Sequence, residues 1–582
     1  MKFRTFIVPL TVAAGLVLVL GIGLLGSFSW RTPLYLLEQG GQGNPTAWQF
    51  VPKQSPVVAS VLARPDRLSQ LWEYLAAPKL RQGIKADMAQ IERFLLADTG
   101  LSYERDIQPW LGEEITGAIV SLDLDQDPAN GLNPGYLIAL ACRDSSLART
   151  TLELFWQNRA MAGDALTFEE VAGNRLIYAS RQSKQIRPNN QAVLDQLATV
   201  LVANRFVLAA NHPEVLRQAL RAAQVTDAHL LSAQRYKAAI QTLPTQRVGL
   251  LAVDLPKVSG WLKGELAEET APLALNTLSD SDNQVDWSLV SISLNRQGIM
   301  ADAALTAAAG HRLQPRQHHF TDWYGLAQYL PEPLTFAALG IDLATLAQTL
   351  HPIVQLLGTD DLLSLGLIPP LDSLLGGNAT DLIMTGVDQG YGTGLTLQTN
   401  SPQPSWLLLS QSSNQLDTTL ETLKDKAQAQ GLSVGQVEIL DYPTTVWTRL
   451  SLASPGSRSG GTQPLQIRAD VAGLQTNMGR YQVLTTSPAT MEQVLLADQQ
   501  SGPPPEWTQH LDFFRPSAEG YAHLNWPQFQ GLLRERGAQF RLWQAAARPV
   551  LKHLRQITMA SYGQTEQLQT MGLFFQLSNQ SF

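Results

Sequence analysis

The chain has 582 residues, too many for one hydrophobic core, so two or more domains are expected. Its 44% hydrophobic content is that of a folded protein, and its 16% of charged residues falls below the usual share of about 25%. The net charge of -8 carries no basic stripe, which excludes a nucleic-acid binder, and a single cysteine, Cys142, excludes an intramolecular disulfide.

The first element is the run 6–25, twenty residues without a charge, long enough to cross a bilayer as a helix. Lys2 and Arg4 precede it, and only Arg31 follows closely. The positive-inside bias places the N-terminus in the cytoplasm and the remainder across the membrane. The run is longer than the apolar core of a cleaved signal peptide, and Gly26-Ser27-Phe28-Ser29-Trp30 is a poor cleavage site, so an uncleaved anchor is expected over residues 1–30. Residues 31–47 form a tether, Gly/Gln/Asn/Pro-rich over 40–46.

A first domain is expected over 48–307. Residues 57–62 read as a strand. Leu80, Ile84, Met88, Ile91, Phe94 and Leu95 then recur at helical spacing, an apolar stripe facing a sheet. Strands follow at 115–122 and 136–142, and a helix at about 146–157. Residues 166–171 and 175–179 form a hairpin with Ala172-Gly173-Asn174 at its turn. After a polar loop, 180–190, and a helix and strand from about Ala192, comes a strand-cap-helix cassette, Asn204 to Leu220. In it Phe206 starts a strand, His212 holds the cap and Pro213 occupies the first helical position, where its missing N–H costs nothing. Further strands are expected at 249–254, 287–294 and 299–306. Residues 308–325 read as an exposed linker.

A second domain, 326–582, repeats this order. A strand after proline, 331–340, answers 56–63. Leu374-Leu375-Gly376 before a strand at 381–385 answers Trp110-Leu111-Gly112, and Trp406-Leu407-Leu408 answers Tyr136-Leu137-Ile138. Thr418-Thr419-Leu420-Glu421 repeats Thr150-Thr151-Leu152-Glu153, and the cassette recurs with Arg480, Pro488, Gln493 and Leu495. Asn525 and Pro527 meet Asp254 and Pro256, and 557–577 forms the last hairpin. So many matches in one order imply a tandem duplication with a long period. Short strand-to-strand links favour antiparallel pairing. The expected fold class is α+β: a transmembrane helix, then two homologous domains, each a mostly antiparallel sheet with helices packed on it.

Motifs that resemble chemistry fail on context. Gly21-Ile22-Gly23-Leu24-Leu25-Gly26 spells a dinucleotide-binding loop inside the apolar run, with no strand before it. Gly431-Leu432-Ser433-Val434-Gly435 spells a nucleophile elbow, but with helix before and strand after, the reverse of the order required. Asp123, Asp125 and Asp127 start a calcium loop that meets Pro128 where glycine is needed and Pro134 where glutamate is needed. His311, His318 and His319 lack zinc spacing. Cys142 reads as a buried strand residue. Asn378-Ala379-Thr380 matches a glycosylation acceptor, a short and common pattern. The loops 180–190 and 451–463 hold equivalent places and differ in composition. No catalytic, cofactor-binding or metal-ligating residue is therefore assigned, and no cofactor is expected.

With the anchor, the strand after proline, Trp110-Leu111-Gly112 and the cassette in place, the chain resembles an uncharacterised family of cyanobacterial membrane-anchored proteins built on a domain of unknown function. The resemblance implies an envelope or thylakoid location and brings no activity. The expected function is a non-catalytic binding or assembly factor at the membrane surface, periplasmic or lumenal. Its expected partners are the membrane itself and another envelope or thylakoid membrane protein. The alternatives are a carrier or sensor of a lipid or other apolar molecule, and an enzyme whose site is gathered from distant parts of the fold.

Overall fold

The computed structural model describes residues 35–41, 43–68, 99–125, 132–180, 197–263, 285–316, 319–356, 371–375, 378–397, 404–453, 466–500, 504–534 and 553–577. The expected anchor at 6–25, the stripe from Leu80 to Leu95 and most of the two divergent loops lie outside these residues. Among the described residues no helix is long and apolar enough to cross a membrane.

The chain divides into two units. Unit 1 comprises 1–315, 538–554 and 564–582, and unit 2 comprises 316–537 and 555–563. In unit 1 a short helix, α1 (Tyr35–Glu38), and a 3-10 turn (Ala47–Phe50) precede β1 (Val57–Val61), β2 (Leu111–Ser121) and β3 (Gly135–Cys142). Then come α2 (Ser145–Met161), β4 (Ala165–Val171), β5 (Asn174–Ser180), β6 (Ala198–Val202), β7 (Phe206–Ala210) and α3 (Pro213–Gln224). The unit continues through α4 (Gln234–Thr242), β8 (Gly249–Asp254), α5 (Leu255–Lys263), β9 (Val285–Asn295) and β10 (Gly298–Ala307).

Unit 2 holds α6 (Trp323–Ala327), β11 (Phe336–Gly340), α7 (Leu343–Leu356), α8 (Leu371–Leu375), α9 (Ala379–Gly386), β12 (Tyr391–Thr396) and β13 (Ser405–Gln411). It goes on with α10 (Asn414–Ala429), β14 (Ser433–Ile439), β15 (Tyr442–Ala453), β16 (Gln466–Met478), β17 (Tyr481–Thr485) and α11 (Pro488–Gln500). A 3-10 turn (Glu506–Phe513), β18 (Gly520–Asn525), α12 (Trp526–Arg534) and β19 (Leu554–Gln564) follow, and β20 (Leu568–Leu577) closes the chain.

Among the described residues the strand pairs set out below are all antiparallel. Unit 1 runs β4-β5-β6-β7-β3-β2-β1-β8-β9-β10-β20. Unit 2 runs β14-β15-β16-β17-β13-β12-β11-β18-β19. The two orders coincide place for place over nine strands. The protein is thus a mixed α+β chain with extensive antiparallel sheet and packed helices. β20, expected in the second domain, is zipped to β10 from Gly298↔Gln576 to Thr306↔Leu568 and belongs to unit 1.

One expected strand is a helix. Residues 381–385 lie in α9, where Ala379, Thr380, Ile383 and Gly386 are buried at helical spacing. The strand that pairs β11 comes later, as β12. A short apolar run flanked by polar residues suits either state, and packing beside α8 and α10 settles it.

The cassette forms as its residues dictate. Pro213 opens α3, and the His212 ring accepts a hydrogen bond at Nδ1 from the Glu214 N–H at 3.1 Å. Val215, Leu216, Ala219 and Leu220 are buried against the sheet beside Leu137, Leu208 and Trp48. Each such buried Val or Leu contributes about 1.5–3 kcal/mol. α2 covers the opposite face, capped by Asp144, with Phe155 and Trp156 buried and the Trp156 indole donating to Thr199 Oγ1 at 2.8 Å.

Candidate binding site

Because the two units share a strand order, their registers equate residues across them. One row in unit 1 runs Ile292–Gly249–Val61–Ile115 over β9, β8, β1 and β2. The same row in unit 2 runs Ser561–Gly520–Gly340–Tyr391 over β19, β18, β11 and β12. The residue before the row on β8 is Val248 and on β18 is Glu519, both buried.

In unit 1 this place is sealed. Val61, Val248 and Ile292 pack with Leu36 of α1, Leu68, Leu294 and Ile299 in one apolar cluster. In unit 2 it is a small cavity whose wall sets Arg316, Asp342, Thr345, Glu519 and Ser561 among the apolar Leu339, Ile341, Leu346 and Met559, with Tyr391 beside them. Gly340 makes the room: a Cβ there would lie 2.9 Å from the Tyr391 hydroxyl. The cavity volume is ≈ 20 Å³, on the order of one water molecule.

Hydrogen bonds order the wall. Asp342 caps α7, its carboxylate accepting from the Thr345 N–H and the Thr345 hydroxyl, each at 2.7 Å. Arg316 Nη1 donates to Thr345 Oγ1 at 2.7 Å and to Gln348 Oε1 at 3.0 Å. Arg316 Nε is buried without a hydrogen-bond partner. Burial, with the Asp342 charge beside it, pushes the Tyr391 hydroxyl far above its ordinary range, so it stays protonated as a donor. The arrangement can hold one small polar group between a guanidinium and two carboxylates.

The other face of the unit 2 sheet buries imidazoles. His523 on β18 stacks on Trp507, with ring centroids 5.0 Å apart and planes at 14°, and its Nδ1 lies 3.5 Å from Thr558 Oγ1. Burial, and secondly the charge of His510, lowers the His523 ring to about 3. Burial also lowers His510, against an upward pull from Glu506. The matching place in unit 1 is Ala252, paired with Val58 and Leu289.

The residues weighed from sequence lie elsewhere. Cys142 is half-buried at the end of β3, and burial pushes its thiol up to about 11, which leaves it a poor nucleophile. His311 and His319 are exposed, and His318 lies outside the described residues. Asp123 accepts from the Asn133 N–H at 3.2 Å, and Asp127 lies outside. Ser433 starts β14 after Gly431 (φ +76°) ends α10, so helix precedes strand. Thr380 is buried in α9. The run Gly21 to Gly26 lies outside. Among the described residues no group of three or more His, Cys, Asp or Glu is placed to hold a metal ion. Arg316, Asp342, Tyr391, Glu519 and His523 carried no local motif. The match of Asn525 with Asp254 already equates His523 with Ala252 and Glu519 with Val248, while Tyr391 needed the alignment with Ile115 that the strand pairing supplies.

The fold and this cavity define an α+β chain of antiparallel sheet with packed helices and, among the described residues, a cavity of water size that admits polar groups. The chain belongs to the DUF3352 family, described as proteins of unknown function, whose model matches residues 11–577 and so spans both units. No curated protein matches. A solved structure, crystal form I of TP0453, is similar over 47% of this chain and 82% of its own, at 7% identity and a TM-score of 0.22. That score is too low to carry an argument about fold or function.

Proposed function

We propose that this protein is a membrane-anchored, extracytoplasmic binding or assembly factor without catalytic activity. Its two units are taken as copies of one ancestral domain, the first kept as a packed scaffold and the second diverged for recognition. The observation that carries the reading is the shared row, apolar and packed at Val61 and Ile292, but opened at Gly340 and Ser561 into a cavity that reaches Arg316, Asp342 and Glu519. A cyanobacterial origin and an envelope or thylakoid location are proposed with it, from the uncharged run 6–25 and the basic residues before it.

Native mass spectrometry of the full-length protein, taken gently from its own membrane, tests the function. A co-purifying protein supports assembly, and bare monomer alone counts against it. A second reading, a carrier of an apolar molecule, draws on an apolar cavity lined by Phe336, Leu343, Leu350, Ile383 and Trp406 between helices and the sheet. At ≈ 20 Å³ it would have to widen to admit an alkyl chain. A small mass increment, lost on organic extraction, would favour that reading.

A further inference from the structure

We propose that unit 2 contains an acid-sensitive latch, the buried imidazole of His523 clamped between β11, β19 and the 3-10 turn that carries Trp507, and that acid opens this unit while unit 1 stays closed. The geometry is a closed box. By register His523 faces Ala337 on β11 and Thr558 on β19. Trp507 covers the ring face, and the centroid separation of 5.0 Å at 14° leaves no space for water between the rings. His523 is 3% exposed.

The two strands beside the box offer an imidazolium no carboxylate, which leaves only the Trp507 face for a cation–π contact and the Thr558 hydroxyl at 3.5 Å. β11 offers Ala337 and β19 offers Thr558, both uncharged. The 3-10 turn offers Trp507 and a second buried imidazole, His510, whose charge opposes that of His523. The carboxylates on this turn act elsewhere: Glu506 on His510, and Asp512 on Tyr521. A proton therefore reaches His523 chiefly when the box opens.

The direction of the pH effect follows. An imidazole freed by opening titrates near its ordinary value of about 6.5. In the closed unit His523 stays neutral down to about 3. Between these values the open form binds the additional proton, so the closed form loses stability as pH falls. The open population rises about tenfold per pH unit below about 6.5, or about 100-fold at about pH 4.5. Unit 1 has Ala252, Val58 and Leu289 at the same lattice place, so no imidazole is boxed there; its own lowered imidazoles, His212 and His229, lie outside β1, β8 and β9 and are half-buried rather than enclosed.

Hydrogen exchange of the whole chain, read peptide by peptide at about pH 7 and about pH 4.5 and corrected for intrinsic rates, tests the latch. The expected result is an increase of about 100-fold in the opening of β11, β18 and β19, with β1, β8 and β9 little changed. Equal change in the two units, or no change in unit 2, overturns the proposal. The wild-type comparison needs no variant. Substitution His523→Gln, which keeps a polar side chain and removes the titration, is expected to abolish most of the acid response. An H523Q protein that folds and still opens in acid as the parent does would equally overturn it.

Discussion

At the scale of single residues, the buried polar groups are those whose loss would be felt most. Glu114 is fully buried, and its carboxylate accepts from the Thr46 N–H at 3.0 Å, the Thr46 hydroxyl and the Ala47 N–H at 2.7 Å each. It thereby holds the turn that inserts Trp48 into the core, where the indole donates to Ser60. Substitution Glu114→Ala strands these donors and is expected to cost about 3 kcal/mol or more, while Glu114→Gln loses less. Urea unfolding followed by the fluorescence of buried tryptophan checks the order. Gly340 offers a paired test. Gly340→Val alone meets Tyr391 at 2.9 Å and is expected to cost about 1–3 kcal/mol. Adding Tyr391→Ile installs the Val61–Ile115 pair of unit 1 and should recover most of the loss, a coupling that a double-mutant cycle measures.

At the scale of elements, the β4–β5 hairpin was legible because its turn chemistry is local, whereas the β14–β15 hairpin, turned by Leu440 and Asp441, was not. Ala172 and Gly173 both have positive φ, as do Leu440 and Asp441 at the β14–β15 turn. A two-residue turn with φ > 0 at both positions matches the twist of the flanking strands and favours Asn-Gly. Leu440 and Asp441 serve it poorly. Replacing the pair by Leu440→Asn and Asp441→Gly is expected to stabilise the hairpin by about 1 kcal/mol, visible as a higher midpoint in thermal unfolding of unit 2. The cassette was legible for the same reason, since Pro213 and the burial period of α3 are properties of adjacent residues. α9 was not. Its apolar residues read as a strand until α8 and α10 supply a surface to which only a helical face fits.

At the scale of the whole molecule, the proposed anchor makes the clearest claim. Removing residues 1–30 should move the protein from the membrane pellet to the soluble fraction. Protease added outside the membrane should cut the units of the intact protein, and finding them sheltered in the cytoplasm would overturn the topology. Repeated patches such as Thr150 to Glu153 and Thr418 to Glu421 suggested a repeat along the chain, but the order in which strands pair within each unit was not read from them. Nor was the pairing of β20 with β10, because a strand's partner is chosen by edges that meet in space and leaves no mark within the strand.

By itself the sequence determined the elements whose signals lie within a few residues: the strands of β1, β3 and β8, the cap and proline of α3, the turn of the β4–β5 hairpin, and an α+β class. It also excluded the local catalytic motifs by their context. Only the tertiary structure decided that Tyr391 stands where Ile115 does, that Gly340 and Ser561 open a cavity where Val61 and Ile292 close one, and that His523 is boxed beneath Trp507. The physical reason is range. Propensity, capping and turn geometry act between neighbours along the chain, whereas cavities and buried charges arise from strands far apart in sequence meeting in one register.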